Sequence, residues 1–161
     1  MMGDGDTLET GAEPRPPQGW PSLVQYWAGN SEPEIDRLCE LWKDLYPELK
    51  YQRHDYDSAA AFIRDNLPRE MAAAFHKCKF SAMQSDVFRL CYVYSVGGFY
   101  VDCGTRPLAR FPLTTGPLPG ELYLLRMDTG RIWNGLILAH ARHPALAKIL
   151  EQVISNVLHE R

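Results

Sequence analysis

The stretch from Met83 to Asp102 constrains the fold of this chain more than any other. Val87, Leu90, Cys91 and Tyr94 recur at i, i+3, i+4 and i+7, which is one stripe of a helix. Phe88, Val93 and Val96 add apolar positions on the other sides, so the spacing predicts a well-buried helix over Met83–Val96. Gly97 follows, at the place where helices often take a left-handed closing residue. The chain then reads Phe99-Tyr100-Val101-Asp102, a short β-rich run that ends on an acid. A buried helix that turns directly into a strand needs a sheet to pack against.

The rest of the chain supplies that sheet. Leu23–Trp27 reads as a buried strand, bounded by Pro21 and by Gly29-Asn30. Ser31 and Glu34 have the spacing of a capping box, and Ile35, Leu38, Leu41, Trp42 and Leu45 follow at helical spacing until Pro47. Leu49–His54 reads as a second strand, residues 55–57 as a loop, and Ser58–Asn66 and Pro68–Lys79 as two helices. Residues 104–120 are rich in Pro, Gly and Thr and read as a loop. Leu122–Arg126 and Ile132–Ala139 read as strands, and a last amphipathic helix starts at Pro144. Strands that alternate with helices predict an α/β sheet flanked by helices.

Residues 1–19 are acidic, polar and proline-rich, and are expected to form a disordered tail before one domain over 20–161. A net charge of −3 argues against a protein that coats nucleic acid, which needs a basic footprint. No apolar run approaches the ~20 residues of a transmembrane segment. The acidic start is unlike a secretory signal, so the expected location is cytoplasmic. The four cysteines, at 39, 78, 91 and 103, form no C-x-x-C pair and are expected to be reduced. The histidines show no metal-ligand spacing.

Chemistry concentrates in Ser85-Asp86-Val87-Phe88-Arg89 and in Gly97-Gly98-Phe99-Tyr100-Val101-Asp102. Asp86 and Arg89 are three apart and share a helix face. Arginine offers a planar fork of donors for carboxylates, phosphates or sugar hydroxyls. Asp102 closes a strand, where open α/β sheets place their ligands. Gly97-Gly98 would let the backbone pass close to a ligand or a packed helix. The residues alone leave other readings open. Asp86 and Arg89 could be a surface ion pair, Asp102 a capping acid, and Tyr26, Trp27 and Trp42 plain core aromatics. A small hydrolase or nuclease with a metal on Asp86 and Asp102 is a further alternative.

The pattern S-D-x-x-R, a helix, then G-G-x-Y-x-D resembles glycosyltransferase family 32, the "DXD" sugar-binding region related to capsular-polysaccharide transferases and glucosylating toxins. Pro21–Trp27, the run Trp42, Pro47 and Tyr51, and Asn134-Gly135 with His143-Pro144 are also similar to that family, so the likeness spans about Trp20–Leu158. The resemblance implies a GT-A fold, a Rossmann-like mixed sheet that binds a nucleotide sugar. It implies that Asp86 and Arg89 hold the donor sugar's hydroxyls, that Tyr26 and Trp27 lie near the base, and that Asp102 lies by the ribose and the metal. It further implies transfer to a glycan, lipid or protein hydroxyl with retention, in polysaccharide or glycoconjugate synthesis, assisted by Mn²⁺ or Mg²⁺. The chain departs from the family at Asp102-Cys103-Gly104, where glycine replaces the second acid, and in being a short version of the domain. The alternative implied is a catalytically degenerate module that binds a nucleotide sugar or a partner.

Overall fold

The structure, a computed structural model, describes residues 22–110 and 121–159. The expected tail over 1–19 lies outside the described residues. Five strands form one sheet: β1 (Ser22–Tyr26), β2 (Lys50–His54), β3 (Gly98–Val101), β4 (Leu122–Arg126) and β5 (Ile132–Ala139). Five helices join them: α1 (Pro33–Leu45), α2 (Tyr56–Asn66), α3 (Arg69–Lys77), α4 (Ser81–Val96) and α5 (Pro144–His159). The strand order is β2-β1-β3-β5-β4. β1 pairs parallel with β2 and β3, whereas β5 runs antiparallel to both β3 and β4. The predicted mixed α/β sheet flanked by helices is what forms.

Strand alternation divides the core between the two faces of the sheet. Val24, Tyr26, Tyr100, Ile137 and Ala139 face α2–α5. Leu23, Phe99, Val101, Leu136 and Leu138 face the other way, against Trp42 and Tyr46 at the end of α1. The Trp42 ring stacks near-parallel to Tyr46, and both meet Phe99 edge-on. The Trp42 indole N–H donates to the Thr105 carbonyl at 2.7 Å, which ties α1 to the segment just past β3. Trp42 is therefore core, as expected.

Several local expectations are corrected. The Ser31–Glu34 capping box does not form: the N-cap of α1 is Glu32, without a side-chain cap, and the Ser31 hydroxyl donates instead to Asp36 at 2.5 Å. Pro33 starts α1, where its missing N–H costs nothing. A capping box stands at α2, between Asp55 and Ser58, so residues 56–57 are its first helical residues rather than a loop. α1 ends at Leu45, two residues before Pro47. Val96 is exposed rather than buried. Gly97 has φ 75° but ψ −173°, so it turns the chain into β3 without closing a left-handed cap.

The Gly97-Gly98 pair serves packing. A Cβ on Gly97 would sit 2.7 Å from the Ala141 amide nitrogen, and one on Gly98 2.9 Å from the Ser22 carbonyl. Both glycines lie at the start of β3, at the opposite end of that strand from Asp102.

The order of connections locates the opening in the sheet. From β1 the chain crosses through α1 to β2 on one side, then returns through α2–α4 to β3 on the other. The connections therefore diverge at the carboxyl ends of β1 and β3, a topological switch point where open α/β sheets bind ligands. No helix among the described residues is long and apolar enough to cross a membrane.

Candidate functional site

A cleft of about 450 Å³ opens at this switch point. Trp27, Ala28 and Gly29 line it from the end of β1, Asp102, Cys103 and Gly104 from the end of β3, and Ser81, Ser85 and Arg89 from α4. Its organising group is Arg89, only 5% exposed on the buried helix. Arg89 Nη2 lies 3.0 Å from Asp86 Oδ1 and 3.2 Å from Asp102 Oδ1. The same nitrogen donates to Ser85 Oγ at 2.9 Å. Nη1 donates to the Asn134 carbonyl at 2.7 Å, and Nε to the Ser85 carbonyl at 3.2 Å. The fork geometry of the guanidinium is what lets one cation reach four residues.

Tyr100 completes the floor. Its hydroxyl donates to Asp102 Oδ1 at 2.8 Å and shares a hydrogen bond with Ser85 Oγ at 2.8 Å. The Arg89 guanidinium also lies over its ring, 5.0 Å from the centroid. Burial pushes the Tyr100 phenol far above its ordinary range, so it stays protonated and donates. On the far side, Asn134 Nδ2 donates to Asp86 Oδ1 at 3.1 Å.

The structure thus brings Asp86, Arg89 and Asp102 into one network, with Arg89 and Asp102 lining the cleft and Asp86 beside it, outside its lining. It divides the two aromatics at the end of β1. Trp27 is half-buried, lines the cleft, and donates its indole N–H to the Asn30 carbonyl at 2.9 Å. Tyr26 reaches the cleft wall, but its ring turns into the core, 4% exposed, against Phe75 and Phe88. Its hydroxyl donates to Gln84 at 2.9 Å, and its carbonyl accepts from the Cys103 thiol at 3.3 Å. All four cysteines are free and buried. The neighbouring Cys39 and burial push the Cys103 thiol well above its ordinary range, so it stays protonated.

Sequence reasoning missed Ser85, Tyr100 and Asn134 as members of this network. Two signals were present: Tyr100 and Asp102 stand at i, i+2 on one strand face, and Asn134 is a lone amide in an apolar strand. Gly135 was also missed. A Cβ there would lie 2.4 Å from the Trp133 ring and 2.5 Å from Asp102 Oδ2.

Asp102 and Gly104 decide what the cleft offers a cation. Asp102 is a single carboxylate, its side chain 33% exposed, with Oδ1 already engaged by Arg89 and Tyr100. Among the described residues, no group of three or more His, Cys, Asp or Glu could hold a metal ion. One carboxylate is within what Mg²⁺ accepts when substrate phosphates and water supply the other oxygens.

The sequence profile of a family described as "Glycosyltransferase sugar-binding region containing DXD motif" matches residues 32–118, more than half of the 161-residue chain. This chain belongs to that family. A Cβ added at Gly104, two residues past Asp102, would meet nothing within 4 Å. The fold is similar to a solved structure titled "PaToxG Glycosyltransferase", with a TM-score of 0.68 at 16% identity. The likeness covers 87% of this chain and 63% of that one, so the chain spans under two thirds of its length. No curated protein sequence matches the chain.

Proposed function

We propose that this glycosyltransferase-family chain binds a nucleotide sugar in the switch-point cleft and passes its sugar to an acceptor hydroxyl. The observation that carries this reading is the convergence of Asp86 and Asp102 on one buried cation, Arg89, at the edge of an open cleft. Asp86 is half exposed and accepts hydrogen bonds, which suits sugar hydroxyls. Arg89 fixes the angle of that carboxylate and would donate to the sugar ring's oxygens. Trp27 offers the base an aromatic wall, and Tyr26 holds the floor beneath it. Asp102, held by Tyr100 and Arg89, would accept hydrogen bonds from the ribose.

The diphosphate has a favourable end of the cleft as well. Ser81 and Ala82 of the first turn of α4 line it, and that turn carries no acid and no side-chain cap. Uncapped backbone N–H groups at a helix start attract anions. Asp102 would hold Mn²⁺ or Mg²⁺ together with the donor's phosphates. Such an ion, when bound, offsets charge on the departing diphosphate. The reaction proposed is transfer with retention, in the building of a polysaccharide or glycoconjugate in the cytoplasm.

Calorimetry with UDP- and GDP-sugars, with and without Mn²⁺, tests this. Donor binding lost in Asp102→Ala supports it; no binding of either class by the unaltered chain overturns it. A second reading, binding without turnover, is favoured by Gly104. Donor hydrolysis that appears only in Gly104→Asp would select that reading.

A further inference from the structure

A second groove of about 250 Å³ lies beyond the site, between α4, the β4–β5 pair and α5. The groove and the donor cleft differ in character. The walls are hydrocarbon, chiefly Leu124, Ile132, Ile149 and Val153, and the polar groups stand at one place: Asp86, Arg89 and Asn134. Arg89 lines both cavities, so a single side chain separates the groove from the donor cleft. Ile149 and Ile132 remain 41% and 56% exposed at the rim, apolar surface left in water.

The walls decide what can enter. Along the hydrocarbon walls a base, ribose or phosphate would lose its water and find no hydrogen-bond partner. A hydrocarbon chain laid against these walls would remove apolar surface from water on both sides. The polar groups at one place suit a molecule with one polar end. That end would lie beside Asp86, the residue the donor sugar is proposed to touch.

Building on the donor-site reading above, we infer that this groove is an acceptor subsite for a hydrocarbon-tailed hydroxyl compound. The tail lies along Ile149, Val153 and Leu124, and the hydroxyl-bearing head sits at the Asp86–Asn134 end. At about 30 Å³ per non-hydrogen atom, the groove holds a tail of about eight carbons.

The test is calorimetric titration with methyl, butyl, hexyl and octyl β-glucopyranoside, each below its micelle concentration. Affinity rises about two- to fourfold per buried methylene and levels off near eight carbons. Ile149→Glu and Ile132→Gln flatten the series. Both positions face water in part, so circular dichroism should show folded proteins, and either variant alone carries the test. Equal affinity along the series overturns the subsite, as does a series that neither variant changes. Sedimentation showing a dimer that Ile149→Glu disperses overturns it too, because a second copy would then fill the groove. Titration of the unaltered chain with UDP and GDP reports on the donor cleft separately. Absence of nucleotide binding there counts against the donor reading, while the alkyl series still judges the groove.

Discussion

Arg89 and Asp102 form an ion pair in which the cation is buried and the carboxylate faces the cleft. A guanidinium at that depth needs its partners, because a buried unpaired charge is costly. The Arg89–Asp102 pair therefore holds the helix and the strand end together before any ligand arrives. Exposure of both carboxylates lowers the value of each pair below that of a fully buried one.

Replacing Arg89 tests this double role. Arg89→Met keeps bulk but leaves Asp102 without its cation, and should lower stability by about 1–3 kcal/mol. Arg89→Lys keeps the charge but loses the fork that reaches Ser85 and Asn134 together, so it should still weaken donor binding at least about tenfold. Thermal unfolding and donor calorimetry on both variants separate the two effects. Wild-type stability and affinity in Arg89→Met would remove Arg89 from the site.

Much of this was legible in the residues. The stripe on α4 and the acid after β3 placed Asp86, Arg89 and Asp102 on elements whose ends meet, and strand–helix alternation gave the sheet. Local caps were less legible. Ser31 has capping spacing, but its hydroxyl finds Asp36, so a long-range partner outcompeted the local motif. Gly97-Gly98 left open close approach to a ligand or to a packed helix, and it serves close packing against the Ser22 and Ala141 backbones at the far end of β3. Asn134 and Gly135 could not be assigned beforehand, because their roles depend on β5 pairing antiparallel beside β3. Tyr26 shows the same limit: strand position put it at the cleft, and only the packing of Phe75 and Phe88 turns its ring inward.

Gly135→Ala probes the contact behind Asp102. The new methyl would overlap both the Trp133 ring and Asp102 Oδ2, neither of which can withdraw without moving the site. Overpacking of this kind costs about 1–3 kcal/mol. The expected result is a lowered melting temperature and weaker donor binding, with the far-ultraviolet spectrum preserved. Unchanged donor affinity would show that Asp102 is not held by this contact.

Gly104→Asp places a second acid two residues after Asp102. No Cβ contact lies within 4 Å, and the backbone there carries no left-handed strain, so the substitution should fold. A second carboxylate raises the charge and the oxygen count offered to a hard cation. Mn²⁺ binding, measured with UDP present, should tighten by about tenfold or more. Equal affinity in both proteins would mean that residue 104 does not face the cation.

His54 predicts how stability depends on pH. Its ring packs 4.9 Å from Phe88 and 5.7 Å from Tyr92, and Nδ1 is buried with no hydrogen-bond partner. Burial lowers its pKa below the ordinary 6.5, against smaller opposing effects from Ser58 and Asp55. The unfolded chain then takes up a proton first as the pH falls. Well above pH 6.5 the group is neutral in both states and contributes no slope; as the pH falls through 6.5, protonation of the unfolded chain draws the equilibrium away from the fold. One proton sets a ceiling of about 1.4 kcal/mol per pH unit on that loss. Urea unfolding between about pH 7.5 and pH 5.5 should show it, and His54→Phe should reduce it. A slope identical in the variant would assign the pH dependence to other groups and mean that His54 binds its proton equally well in the folded and unfolded chain.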